Sequence, residues 1–269
     1  EALRNNTTAD NNTAVGYYSL YSNTTGINNV AVGSGSLDAN TTGQNNTGIG
    51  LGALGGTTTG VDNTSLGTNS ANDNTTGVHN VALGKDALHQ NQTGSYNTVV
   101  GSLAMNTVNA TWGGKNTAIG YAALTNNQNN NNTAVGYEAG RSTTTGSLTA
   151  LGYQALYLNT TGSSNTAVGY RVMDANTTGS NNVAVGQDAL NVNSTGGQNT
   201  ALGLGALYSN TTGSGSTAVG RLALQIATGS QNVAVGHLAG DNITSGSNNI
   251  VIGTSADASS ATVDNEITL

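Results

Sequence analysis

Three histidines, thirteen carboxylates and six basic side chains are all that this 269-residue chain offers for moving a proton or holding an ion. General acid–base chemistry needs two such groups within hydrogen-bond reach of each other. His79, His89 and His237 stand in unlike surroundings, "GVHNVA", "ALHQNQ" and "VGHLAG", with no carboxylate at a fixed offset. They read as surface histidines, and no catalytic residue is expected. The chain has no cysteine, which removes thiolate metal sites and disulfides together. No "GxxxxGK[ST]" segment is present to cradle a phosphate.

Calcium chemistry would need carboxylates gathered by a short glycine-rich repeat. Asp86, Glu138 and Asp188 are scattered through the chain, and Asp257, Asp264 and Glu266 crowd toward one end. Neither set has calcium-loop spacing, so no metal and no cofactor is expected.

The aromatic side chains are better ordered. Tyr121, Tyr137, Tyr153 and Tyr170 follow one another at intervals of 16 or 17 residues, and Trp112 precedes them in "NATWGGK". Flat rings stack on sugar faces while tyrosine keeps a polar edge. These five are the candidate ligand-binding residues, for a glycan. The competing reading is a tyrosine ladder that stiffens the molecule or lies at a subunit interface. Ring faces open to water would favour the first and packed rings the second.

Their interval belongs to the whole chain. A phrase "N-[TV]-A-[VIL]-G" closes on Gly16, Gly33, Gly50, Gly67, Gly84, Gly101, Gly120, Gly136, Gly152, Gly169, Gly186, Gly203, Gly220, Gly236 and Gly253. The gaps are 17 residues except for three of 16 and one of 19, between Gly101 and Gly120. Such a period marks one repeat architecture over residues 1–269, with no linker. The stretches "ALRNNTTADN" and "NEITL" match parts of the phrase, so the chain is expected to start and stop mid-repeat, as a segment of a longer fibre would.

Counting the phrase from its first Asn, position four is Val15, Val32, Ile49, Leu66, Leu83, Val100, Ile119, Val135, Leu151, Val168, Val185, Leu202, Val219, Val235 and Ile252. An aliphatic residue kept fifteen times is expected to be the structural core. Positions two and four share one face of a short strand, and positions three and five share the other. Position nine is usually Leu, and the second half, "NTTG" or a relative, has turn chemistry. Each phrase therefore predicts two short strands and two bends. The fold expected is all-β: a parallel β-solenoid of about fifteen 16–19-residue coils, each pairing its backbone with the coils on either side. "NTT" at Asn23, Asn40, Asn74, Asn159, Asn176 and Asn210 matches a glycosylation sequon, but a turn explains the same residues.

Composition limits the partners. Charged residues make up 7% of the chain, the net charge is −7, and the six basic residues are scattered, so there is no electrostatic footprint for nucleic acid. No apolar run is long enough for a spanning helix and no basic amphipathic helix is evident, so no direct membrane insertion is expected.

"NNVAVG", "NTAVGY" and "SNNIVIG" resemble the head repeats of trimeric autotransporter adhesins, and the phrase as a whole resembles the repeat regions of bacteriophage tail-fibre proteins. The resemblance covers essentially the whole chain. It implies a homotrimer, the Val15 column turned into each subunit's core, and close chain approach at Ala14 and Gly16. The coil is longer than the adhesin head repeat, and no neck, stalk or membrane barrel accompanies it.

The expectation is thus a non-enzymatic fibre segment, extracellular, at a cell surface or on a virion tail. Its partners would be its own copies, as a homotrimer or head-to-tail filament, and surface glycans or a host receptor. A self-assembling filament is the first alternative. An ice-binding solenoid is the second; the expectation that position-two threonines lie in the core counts against it.

Overall fold

A computed structural model describes residues 1–107 and 114–269. The chain divides into two compact units, Glu1–Thr133 and Ala134–Leu269. Each is a parallel β-solenoid. Among the described residues, strands of two to four residues run from Thr13–Val15 to Thr117–Ile119 in the first unit, and from Leu148–Leu151 to Ile267–Thr268 in the second. Within each unit neighbouring coils pair like on like: Thr13 opposite Val30, Ala14 opposite Ala31, Val15 opposite Val32.

The backbone ladder continues round the coil, as it must when so many amides are out of reach of water. Leu20 N donates to Ser36 O at 3.0 Å, Ser22 N to Asp38 O at 3.0 Å, and Thr24 N to Thr41 O at 3.0 Å, each to the following coil. A coil one residue short keeps the same register, with Thr217 opposite Val233, because "ATGS" replaces "NTTGS" in the turn and leaves the strands untouched.

Two sequence expectations are corrected. Each coil has one strand, not two: the position-nine leucines lie in a turn with left-handed backbone, at φ 49° for Leu20, 54° for Leu54 and 50° for Leu190. Leucine in that region costs about 1–2 kcal/mol. The turn holds it because the leucine amide donates to the next coil and its side chain is fully buried.

The second correction concerns the core. Val15, Ile49, Leu66, Ile119, Val185, Leu202, Val235 and Ile252 are exposed, and Val32, Leu83, Val100, Val135, Leu151, Val168 and Val219 are only half-buried. Position three faces inward instead, with Ala31, Ala82, Ala118, Ala167 and Ala201 fully buried. The reason is space. A side chain added at Gly48, a position-three glycine, would come within 2.7 Å of Ser36 Oγ, 3.0 Å of Ala53 O and 3.4 Å of Leu37 Cγ. Positions eight and nine already fill the thin coil, so the strand turns its small residue inward. Alternation then sends positions two and four outward.

The interior tolerates a larger residue where a neighbour shrinks. Gly240 replaces the position-nine leucine, and a side chain there would meet Leu224, Ile243 and Val251. Ile243 and Val251 are the larger occupants of the Asn and Ala columns, and both are buried. They take up the missing leucine's volume, as dense packing requires.

The remaining core is amide. Asn176 Nδ2 donates to Asn159 Oδ1 at 2.8 Å and to Gly179 O at 3.0 Å, while Asn193 Nδ2 donates to Asn176 Oδ1 at 2.7 Å. Position one forms a second column: Asn182 N donates to Asn165 Oδ1 at 2.9 Å, and Asn165 Nδ2 to Gly179 O at 2.7 Å. One glycine carbonyl thus accepts from both columns and ties them together.

The first column has defects with a testable consequence. Thr57 follows Asn40 and Ala227 follows Asn210, and in both places the preceding Asn Oδ1 is buried without a donor. Thr57 Oγ1 is unpartnered as well. Thr57→Asn supplies the missing amide and is expected to stabilise the chain by about 1 kcal/mol, the net worth of a recovered hydrogen bond. The midpoint of denaturant unfolding should rise with an unchanged slope.

Candidate functional site

The sequence-predicted ligand residues are fixed by the glycine that ends each strand. Position five has φ near +135° (Gly152 at 136°, Gly169 at 136°), which swings the chain out of the strand and leaves position six on the outer corner of the coil. Tyr137, Tyr153 and Tyr170 occupy that corner in three coils of the second unit. Their ring centroids lie 5.2 Å apart at both steps, with interplanar angles of 8° and 10°. Tyr121 holds the same coil position in the first unit and is exposed. Trp112 lies outside the described residues.

The stacking determines what the row can offer. Tyr137 covers one face of Tyr153 and Tyr170 the other, so water reaches Tyr153 by its edge; the three residues are 42–49% exposed. The row presents ring edges at the coil pitch, not open faces, so the packing favours the stiffening ladder over a platform that stacks on sugar faces, and what it leaves for a ligand is hydrogen bonding at the edges. The phenol hydroxyls can donate or accept hydrogen bonds, and the ring edges carry the positive side of the aromatic quadrupole. Polar contacts between residues next to the row link successive coils: Gln154 Nε2 donates to Glu138 Oε2 at 3.0 Å, and Arg141 reaches Glu138 at 3.2 Å and donates to the Tyr157 hydroxyl at 2.7 Å.

Beside this corner runs the outward strand face. Positions two and four carry Thr, Val, Ile or Leu in every coil and never a charge. The position-two threonines, expected in the interior, are on this face; Thr13, Thr64 and Thr98 are exposed. This uncharged face was missed because the bulky column had been assigned to the core.

The titratable groups do not converge. His79 Nδ1 lies 3.6 Å from Asp62 in the preceding coil, a carboxylate neighbour that sequence spacing did not reveal, and its ring stacks on Tyr96 at 5.1 Å. His237 Nε2 lies 2.9 Å from Arg221. Glu266 is held by the Ser259 amide and hydroxyl and by the Thr268 hydroxyl; the Ser259 bonds first, then that of Thr268, pull its carboxyl below the usual range. Asp264 accepts from Ser247 N at 2.6 Å. Burial first, then a hydrogen bond to Asp257, raises Asp241. Among the described residues no three His, Asp or Glu side chains are grouped to hold a metal, and no helix is long and apolar enough to cross a membrane.

The sequon asparagines have a different role from the turn expected for them. Asn23, Asn40, Asn74, Asn159, Asn176 and Asn210 are all fully buried. None has positive φ; their amides belong to the inner column. A glycan cannot be accommodated there in the folded chain.

Comparison with family models, with curated proteins and with solved structures finds no match to this chain.

Proposed function

We propose that this chain is a non-enzymatic segment of an extracellular or virion fibre that presents a host- or surface-binding function multivalently. The observation that carries the reading is the tyrosine row: the solenoid repeats one chemical group at one spacing, 5.2 Å from ring to ring. Rows of equivalent groups multiply weak contacts by effective concentration, without any one of them being strong. The resemblance to tail-fibre and adhesin repeats supports the same reading. The ligand that fits is a neutral, hydroxyl-rich surface such as a glycan, which hydrogen-bonds to phenol edges along the row.

The test is binding of the purified chain to a glycan array and to intact cells. Tyr153→Ala interrupts the row at its centre and is expected to weaken avid binding by roughly 10- to 100-fold, because the row then acts as separate single contacts. Equal binding by the variant, or none by the wild type, counts against the reading.

One observation favours a second reading. The position-two threonines face outward, which removes the geometric objection to ice binding. Thermal hysteresis of the purified chain decides it: freezing-point depression in excess of the colligative value supports ice binding, and its absence rejects it.

A further inference from the structure

The geometry points to a binding site for a single neutral sugar in a turn groove of the second unit. The groove is built from positions fourteen to seventeen of the phrase, whereas the tyrosine row is position six. Its volume is about 390 Å³, within the range of small-ligand sites, and hydroxyl and amide side chains surround Gly197, among them Thr178, Thr195, Gln198 and Ser214.

The groove exists because one side chain is missing from a row. From Ser163 to Ser247 the position-sixteen amide of one coil donates to the position-sixteen hydroxyl of the next: Ser163 N to Ser180 Oγ at 3.0 Å, Gly197 N to Ser214 Oγ at 3.1 Å, Ser214 N to Ser230 Oγ at 3.1 Å and Ser230 N to Ser247 Oγ at 3.1 Å. Gly197 has no hydroxyl to offer, so the row breaks at Ser180 N, which has no hydrogen-bond partner among the described residues. A Cβ at position 197 would lie 3.7 Å from Ser180 N and 2.9 Å from Ser180 O, so the notch opens beside that amide. A ligand oxygen seated there takes the bond that a serine hydroxyl takes in the neighbouring coils, and the amide gains its acceptor.

Three features select the ligand. No charged side chain lines the groove and the chain carries a net charge of −7, so an anion finds no counter-charge. The lining side chains are Thr, Ser, Asn and Gln, which donate and accept hydrogen bonds but offer no flat apolar face. The bonding groups are also spread out. Ser214 Oγ accepts from Gly197 N and keeps its own proton to donate. It stands one coil beyond the notch at Ser180 N, about 4.8 Å away, so one oxygen cannot serve both. A sugar ring, neutral and bearing hydroxyls round its edge, supplies several oxygens at such separations.

The site goes beyond the fibre reading and does not depend on it. The experiment is a titration of the full isotope-labelled chain with the methyl glycosides of glucose, galactose and mannose, followed by amide NMR. Sugar is carried to about 0.1 M, because an open polar groove holds one sugar weakly. We expect at least one glycoside to shift the amides of Ser180, Thr195 and Gln198 saturably. Gly197→Ser completes the row and is expected to abolish those shifts with the fold intact, since neighbouring coils carry serine in the same turn. Thr195→Val leaves the row untouched and is expected to weaken binding by about 3- to 10-fold, the worth of one hydrogen bond. The inference is overturned if no glycoside shifts these amides, if both variants bind as the wild type does, or if sulfate saturates the groove and the sugars do not. Tyr153→Ala is expected to leave the groove shifts unchanged. A chain whose groove takes sugar but which binds no glycan array or cell refutes only the adhesive reading.

Discussion

Gly203→Ala is expected to destabilise the second unit by about 3–5 kcal/mol, enough to unfold a domain of ordinary stability. Two costs add. Gly203 has φ +136°, well beyond the left-handed helical region, where only glycine is comfortable. A Cβ there would also sit 2.5 Å from Gly220 O, 2.6 Å from Gly220 C and 3.1 Å from Arg221 N. All three are backbone atoms of the next coil, so relief means separating the coils and losing the ladder between them. Gly35→Ala is the control: its φ is +64° and an added Cβ meets nothing within 4 Å, so about 1 kcal/mol is expected. Chemical denaturation of the two variants beside the wild type reads both. Equal, small effects would show that the coils are not in tight contact at position five.

The second large effect lies in the amide column. Asn176→Ala removes the donor to Asn159 Oδ1 and the acceptor for Asn193 Nδ2, which are 2.8 and 2.7 Å away. Asn193 Nδ2 keeps Gly196 O at 3.0 Å, and Gly179 O keeps Asn165 Nδ2 at 2.7 Å, so one buried oxygen, Asn159 Oδ1, and one of the two Asn193 amide protons are left without partners. The chain already tolerates such an unpartnered oxygen at Asn210, ahead of Ala227. The expected cost is about 2–3 kcal/mol, an unsatisfied buried acceptor plus a lost hydrogen bond.

Asn176→Asp is expected to cost more at neutral pH, because a buried carboxylate then faces Asn159 Oδ1 with no proton to donate. Burial raises the folded-state pKa of that new group above its unfolded value. The penalty is therefore greatest above the folded pKa and shrinks as pH falls toward the unfolded pKa. The unfolding midpoint of the Asp variant should lie below that of the Ala variant at pH 7 and reach or pass it at pH 4. A pH-independent loss would mean that position 176 is open to water.

The period, the coil boundaries, the parallel pairing and the turn at "NTTG" were legible in the sequence because each recurs at one place in every phrase. The direction of the strand was not. Alternation separates positions two and four from three and five but does not say which pair faces inward. Hydrophobicity favoured the valines, whereas the space left by Leu37 and Ser36 admits only a small residue.

A signal was available in size itself. Position three holds mostly Ala, with Gly48, Ser65, Val99 and Val251, while position four is always Val, Ile or Leu. A column kept small in nearly every phrase fits a thin, already filled interior. The asparagines of position twelve were likewise read as turn formers, and those of position one were given no role. Their left-handed relatives are at position seventeen, Asn28 at φ 59° and Asn45 at 57°, whereas Asn23 and Asn29 have ordinary backbone and use their amides inward. The tyrosine row was legible as a column; that its faces are spent on one another was not, because ring orientation depends on the corner made by Gly152 and Gly169.

The inward alanine and outward valine are tested most directly by thiol reactivity at two adjacent positions. Ala184→Cys and Val185→Cys would each be treated with a thiol reagent under native conditions. The account predicts rapid labelling at position 185 and protection at position 184 by a factor on the order of a thousand, because labelling there requires the coil to open. Rapid labelling at 184 with protection at 185 would contradict it, returning the aliphatic column to the interior.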